Sequence, residues 1–155
     1  MKNIVWLLAA TALLVGCDSR QTASNTPVSA IHAPKEYVRQ GFNYLKEAKP
    51  REAIKSFDAA IRQNPRDPGP YLILGQTYLR INRFDRAIDT FSAATRVSPA
   101  DGHLYYLLAV SYERSGNVKD AKLNAEKSFG LFRRDKDADG LKKSLALLKS
   151  FPAAK

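Results

Sequence analysis

A period of 34 residues, beginning near residue 34, is the feature that most limits what this chain of 155 residues can fold into. Tyr37, Tyr71 and Tyr105 are each 34 positions apart. The same step relates Tyr44, Tyr78 and Tyr112; Gly41, Gly75 and Ala109; Ala53, Ala87 and Ala121; Phe57 and Phe91; and Pro65 and Pro99. A fixed period of about 20 to 50 residues indicates stacked supersecondary units, each of which contacts its neighbours.

Each unit contains two helical patterns. The first places apolar or small residues at i, i+3, i+4 and i+7, as in Tyr71, Leu74, Gly75 and Tyr78. The second is a stripe at steps of four and three, as in Ala87, Phe91 and Ala94. A Gly or Ala in the first helix lets the second helix approach closely. Pro65 and Pro99 end the second helices, because proline does not continue a helix comfortably. The sequence therefore predicts antiparallel helix pairs.

Together, the period, the paired aromatics, the small residues and the terminal prolines resemble the tetratricopeptide repeat. The resemblance implies an all-α fold of three helix-turn-helix repeats, residues 34–67, 68–101 and 102–135, forming a short right-handed superhelix. The third repeat departs from the family pattern, with Ala125 in place of the aromatic, Ser128 in place of Ala and Arg133 in place of Pro. A final repeat that meets solvent or a cap need not follow the pattern.

Residues 136–150 are predicted to form a helix that caps the exposed edge of the third repeat. Leu141, Leu145 and Leu148 lie at steps of four and three along this segment, and lysines flank them. Residues 151–155 are left as a short tail.

The N-terminal segment, residues 1–16, has the pattern of an export signal. It has one positive charge, then an apolar run, then small residues directly before Cys17, the only cysteine. The run is too short for a bilayer span, which needs about 20 apolar residues. The residues before and including Cys17 resemble a bacterial lipobox, which implies cleavage before Cys17 and lipid attached to its thiol. An ordinary secretory signal is the alternative.

The lipobox resemblance also implies a location. Asp18 resembles the inner-membrane retention signal of bacterial lipoproteins, and the outer membrane is the alternative location. The protein is then expected to face the periplasm, with residues 17–33 as a flexible tether because they are mostly small, polar or Pro.

The formal net charge of +10 favours anionic partners: acidic protein segments, anionic lipid or nucleic acid. Export makes nucleic acid the least expected of these three. A single cysteine excludes a disulfide within the chain, so packing alone must hold the fold.

The family resemblance assigns ligand contacts to the second, fifth, ninth, twelfth and thirteenth positions of each repeat. The fifth and ninth positions predict a largely apolar groove of Val38, Phe42, Leu72, Gln76, Tyr106 and Val110. The thirteenth positions add a basic ladder of Lys46, Arg80 and Arg114. This pattern predicts a protein partner with an extended or helical segment that carries apolar and acidic groups. In the alternative, the apolar stripe packs between helices and the ladder is a solvated face.

The sequence favours no enzyme chemistry, cofactor or metal. His32 and His103 belong to no recognisable metal or triad motif. Residues 135–140 match the first half of a calcium-binding EF-hand loop, but Lys142 and Ala146 stand where an apolar residue and the closing Glu are needed. Asp139 and its neighbours are instead expected to cap the last helix.

The sequence therefore predicts a membrane-anchored adaptor for protein–protein interaction, acting in assembly of a pilus or secretion apparatus. Two alternatives stay open: a scaffold for cell-wall enzymes, and a basic structural module that lies on anionic membrane. The identity of the partner and the oligomeric state are not determined by the sequence.

Overall fold

The computed structural model describes residues 29–152, with side-chain environments from Pro34 onward. This part of the chain folds into seven α-helices and no strand. The helices are α1 (Ser29–Lys46), α2 (Pro50–Gln63), α3 (Pro68–Arg80), α4 (Phe84–Val97), α5 (Gly102–Arg114), α6 (Val118–Asp135) and α7 (Ala138–Ser150). Residues 1–28, which contain the predicted signal peptide, Cys17, Asp18 and most of the tether, lie outside the described residues.

Consecutive helices pack on one another. The extensive contacts are those of α1 with α2, α3 with α4, and α5 with α6, while α7 packs on α6 and touches α5. The predicted all-α fold of stacked helix pairs with a C-terminal helix is therefore confirmed.

Local signals set most helix boundaries. Asp67 and Asp101 cap α3 and α5, and each carboxylate accepts a hydrogen bond of 2.9 Å from a backbone N–H two residues on. The second helices α2 and α4 end two residues before Pro65 and Pro99, as predicted. The turns inside the repeats share one backbone feature: the residue at each equivalent position has a positive φ. These residues are Ala48 (55°), Asn82 (57°) and Gly116 (85°).

A glycine opposite a phenylalanine fixes the packing of the first two pairs. The rings of Phe57 and Phe91 are fully buried and lie directly over Gly41 and Gly75, where a Cβ would collide with them. The glycines therefore let the two helices of a pair approach closely, as predicted.

The third pair replaces this arrangement with two alanines. Ala109 and Ala125 are both fully buried, and Leu147 of α7 packs against them. Ala125, which stands where the family has an aromatic residue, thus contributes to the contact between the third repeat and α7.

The capping helix α7 forms where predicted, but its most buried residues are not the predicted leucines. Its buried residues are Gly140, Ser144 and Leu147, whereas Leu145 of the predicted stripe is 42% exposed. The physical reason lies in α6: the ring of Phe132 sits directly against Gly140, and only a residue without a Cβ fits there. Of the predicted stripe, Leu141 and Leu148 are partly buried, and Leu148 packs against the alanines of the third repeat, so only Leu145 faces solvent.

Ser128 joins three helices. Its hydroxyl donates to the backbone carbonyl of Gly102 in α5 and pairs with the hydroxyl of Ser144 in α7, both at 2.9 Å. Both serines are fully buried. The change from the usual Ala to Ser at this position therefore anchors the cap.

The N-terminal boundary of the first repeat also differs from the expectation. Helix α1 begins at Ser29, so residues 29–33 of the predicted tether are helical and Pro34 lies inside the helix. Pro34 is the sixth residue of α1 and lacks an N–H, so it cannot donate the helical hydrogen bond to the carbonyl four residues earlier. Within residues 29–152 no helix is long and apolar enough to cross a membrane.

Candidate functional site

The nine predicted groove residues lie in equivalent positions on the three first helices, α1, α3 and α5. Each helix contributes an apolar residue, a second residue four positions later and a basic residue in its last turn. The sets are Val38, Phe42 and Lys46; Leu72, Gln76 and Arg80; and Tyr106, Val110 and Arg114. The structure brings some of these side chains together and leaves others open.

Side chains fill the seam between α3 and α5. Leu72 and Tyr106, both partly buried, pack against one core cluster that includes Phe91 and Leu104. Tyr106 also packs with Val110 against the alanines of the third repeat. His103 stacks loosely on Tyr106, with ring centroids 6.4 Å apart. In this seam the apolar groove residues serve the packing of neighbouring helices, which is the alternative interpretation given above.

The seam between α1 and α3, in contrast, contains two hollows. One lies where the helices begin and is lined by Val38 together with Lys35, Asp67, Pro70 and Ile73. The other lies where the helices end and is lined by Arg80 together with Leu45, Pro50, Thr77 and Ile81. We call this region the α1–α3 seam. It is the part of the predicted groove with room for a ligand's side chains.

Phe42 lies on α1, between the positions of Val38 and Leu45. Its ring meets the buried ring of Phe57 edge to face at a centroid distance of 5.8 Å, yet 43% of Phe42 remains exposed. A large apolar side chain that is held by one edge and open on its other face is suited to contact a partner.

The three residues of the basic ladder interact with the ends of their own helices and also present positive charge to solvent. Lys46, Arg80 and Arg114 each lie in the last turn of their helix, where a positive charge interacts favourably with the negative end of the helix dipole. All three are exposed, and in the part of the chain that the structure describes none of them forms an ion pair. Their charges are therefore available to an acidic ligand.

The sequence analysis did not predict that Leu45 and Ile81 line the hollow where α1 and α3 end. Leu45 occupies the twelfth position of the first repeat, which the family resemblance marks as a contact position, so a signal was present. Ile81 follows α3 as its C-cap, and its place beside Arg80 depends on the path of the turn.

The acidic segment before α7 is a helix cap. The Asp137 carboxylate accepts a hydrogen bond of 3.0 Å from the Gly140 N–H, and Asp139 lies in the first turn. Arg134 bonds Asp135 and lowers the pKa of that carboxyl. Among the described residues no group of three or more His, Cys, Asp or Glu side chains is placed to hold a metal ion.

Comparison with known proteins identifies the repeats. A family model described as tetratricopeptide repeat matches residues 44–110. No curated protein matches the chain.

Several solved structures share the fold at low sequence identity. The type III secretion translocator chaperone SycD of Yersinia enterocolitica has a TM-score of 0.69 and 17% identity over 76% of this chain and 89% of that chain. PcrH in complex with the chaperone-binding region of PopD has a TM-score of 0.68 and 17% identity, over 75% and 88%. The TPR2B domain of yeast Sti1, in a complex with an Hsp70 peptide, has a TM-score of 0.69 and 15% identity, over 76% and 94%. The fold is that of tetratricopeptide-repeat proteins.

Proposed function

We propose that this tetratricopeptide-repeat chain is an adaptor that binds a segment of another protein in the α1–α3 seam. The observation that carries the proposal is the half-exposed Phe42, which lies on α1 between Val38 and Leu45, the residues that line the two hollows of the seam. An extended or helical segment can place apolar side chains in two hollows along one line.

Charge defines the partner further. Lys46 and Arg80 lie at the same end of the seam, because each is in the last turn of its helix. A partner segment with apolar anchors followed by acidic residues would therefore match the seam in both order and charge. The solved neighbours support this mode of action: PcrH forms complexes with the chaperone-binding regions of PopD and PopB, and the Sti1 domain with a peptide of Hsp70.

The second part of the proposal is a lipid anchor on Cys17 at the periplasmic side of the inner membrane, where Asp18 would retain it. The lipobox-like sequence supports this part. An anchored adaptor raises the local concentration of its partner at the membrane without any new contact. Among pathways, assembly of a pilus or secretion apparatus is the one we favour over scaffolding of cell-wall enzymes.

The test is cross-linked capture from the native envelope with the wild-type chain and a Phe42→Ala/Arg80→Glu variant. A matched control is Leu145→Ala/Lys149→Glu on α7, which removes a leucine of nearly equal exposure, 42% against 43%, and makes the same change in charge. Circular dichroism first shows that each variant is folded.

We expect a partner that is captured by wild type and by the α7 control and lost with the seam variant. Retention of every captured protein by the seam variant would contradict the seam as the binding site. Equal loss with both variants would show that net charge, rather than the seam, retains the partner.

A further inference from the structure

A third hollow lies outside the groove, where the second helices α2 and α4 meet the end of α3. Four cationic side chains line it: Arg51 and Lys55 from α2, Arg83 from the turn before α4, and Arg86 from α4. None of the nine predicted groove residues lines this basic hollow, as we call it, although Ile81 lines both it and the hollow at the end of the α1–α3 seam.

The floor of the basic hollow is apolar and fixed in place. Ile54 and Tyr78 pack against the core cluster around Phe57, and Ile81 completes the floor as the C-cap of α3. Burial raises the pKa of Tyr78, and the nearby Asp58 carboxylate adds to the rise while Arg86 opposes it. The phenol therefore stays protonated, and its O–H is available to donate a hydrogen bond to a carboxylate.

The cations around this floor are not neutralised by their neighbours. No acidic residue lines the hollow, and within residues 34–152 none of its four cations forms an ion pair. The partly buried Asp58 carboxylate interacts with Arg86 and with Arg62, and both charges lower its pKa. An adjoining hollow extends the positive surface. Arg83 and Arg86 line this second hollow as well as the basic hollow, and Arg114 also lines it. Asp85 is its acidic lining residue.

We propose that the basic hollow is a second docking site, which binds an acidic polypeptide segment through one apolar side chain on the floor and flanking carboxylates on the four cations. Arginine pairs carboxylates with two parallel hydrogen bonds, and three of the four cations are arginines.

A polypeptide fits this site better than a membrane surface does. A surface that inserts into a membrane presents exposed apolar side chains that enter the lipid around its cations. The large apolar side chains that are exposed in the described part of the chain are Phe42, Val118, Leu123 and Leu145, and none of them lines the basic hollow. Its apolar groups lie on the floor, below the cations, where only an inserted side chain reaches them.

The experiment measures binding of a fluorescein-labelled peptide, in which glutamates flank a single leucine, to the full chain by fluorescence anisotropy. The test variant is Arg51→Glu/Arg83→Glu. The matched control is Lys142→Glu/Lys149→Glu on α7. It changes the net charge by the same amount as the test variant, at two exposed positions that do not line the basic hollow. A peptide with alanine in place of the leucine tests the apolar floor, and the Phe42→Ala variant tests the groove.

We expect the test variant to weaken peptide binding by about tenfold or more, while the lysine control and Phe42→Ala leave it within about twofold. The alanine peptide should bind more weakly than the leucine peptide. Equal weakening by both double variants would overturn the proposal in favour of net charge, and loss with Phe42→Ala would place the peptide in the groove. Binding to anionic phosphatidylglycerol vesicles that depends on Arg51 and Arg83, without peptide binding, would assign the hollow to lipid and would also overturn it.

Discussion

Gly75 and Phe91 lie so close that a methyl group added at Gly75 would be 2.5 Å from the Phe91 ring. The ring is fully buried and belongs to the central core cluster, so it has no free space to move into. This contact between α3 and α4 sets how closely the two helices of the middle repeat pack.

Gly75→Ala should therefore lower the free energy of unfolding by about 1–3 kcal/mol, the usual cost of overpacking a core. The control is Gly130→Ala on α6, where a Cβ meets nothing within 4 Å. That change should stabilise the protein by about 0.5–1 kcal/mol, since alanine is the better helix former. Urea unfolding measures both, and two effects of the same sign would contradict the packing described.

The turns inside the repeats give a second pair of opposite effects. Ala48 is exposed and has a φ of 55°, a conformation in which a Cβ is unfavourable, whereas Gly116 occupies the equivalent turn of the third repeat. We expect Ala48→Gly to stabilise the fold and Gly116→Ala to destabilise it, each by about 1 kcal/mol. Thermal unfolding provides the comparison. A destabilising Ala48→Gly would mean that the strain at this turn is absent.

The buried hydroxyl pair predicts an unequal loss. Ser144→Ala removes one partner of Ser128 and should cost about 0.5–1.5 kcal/mol, but Ser128→Ala also removes the bond to the Gly102 carbonyl, leaves the buried Ser144 hydroxyl without a partner and should cost about 1–3 kcal/mol. Ser115→Ala, at an exposed hydroxyl, serves as the control with an effect below about 0.5 kcal/mol. Equal costs at Ser128 and Ser144 would show that the carbonyl bond contributes nothing.

Asp58 predicts a pH dependence of stability. Its partial burial raises the pKa of the carboxyl above the ordinary 3.8, although Arg62 and Arg86 oppose the rise. The folded state then binds more protons than the unfolded state between these two pKa values, so this group's contribution to stability rises as the pH falls through the folded value.

The comparison is with Asp58→Asn, measured by urea unfolding from neutral pH down to about 4. The stability of wild type relative to the variant should increase toward acid. A difference that stays constant or decreases would show that the two arginines outweigh the burial.

The N-terminal proposal has a simple optical test, because the only tryptophan of the chain, Trp6, lies before Cys17. Material purified from membranes should show tyrosine fluorescence alone, and its intact mass should exceed that of residues 17–155 by the attached lipid. Tryptophan emission would mean that residues 1–16 are retained. Cys17→Ala should release the protein from the membrane.

Much of the architecture could be predicted because it repeats. The period located six of the helices, and Pro65 and Pro99 marked where two of them end. Structural features that occur only once in the chain could not be predicted from the period. The choice of Gly140 as a buried residue of α7 depends on its contact with Phe132, a residue of another helix, and no local pattern shows that the two meet.

The candidate site shows the same division. The period places the predicted groove residues at equivalent positions of α1, α3 and α5, and it makes the two seams look alike. The difference comes from packing: Tyr106 and Leu72 fill one seam, whereas hollows beside Val38 and Arg80 remain in the other. The basic hollow could not be predicted from the sequence pattern, because its residues come from three helices and a turn.

The linear order of contacts has a consequence for how the protein opens. Each helix packs mainly on the helices before and after it, so α1 contacts one extensive neighbour while α3, α4 and α5 have neighbours on both sides. Amide hydrogens of α1 should therefore exchange with solvent faster than those in the middle of the stack. A partner bound along the α1–α3 seam would act as the missing neighbour of α1, so protection of these amides would report occupancy of the site.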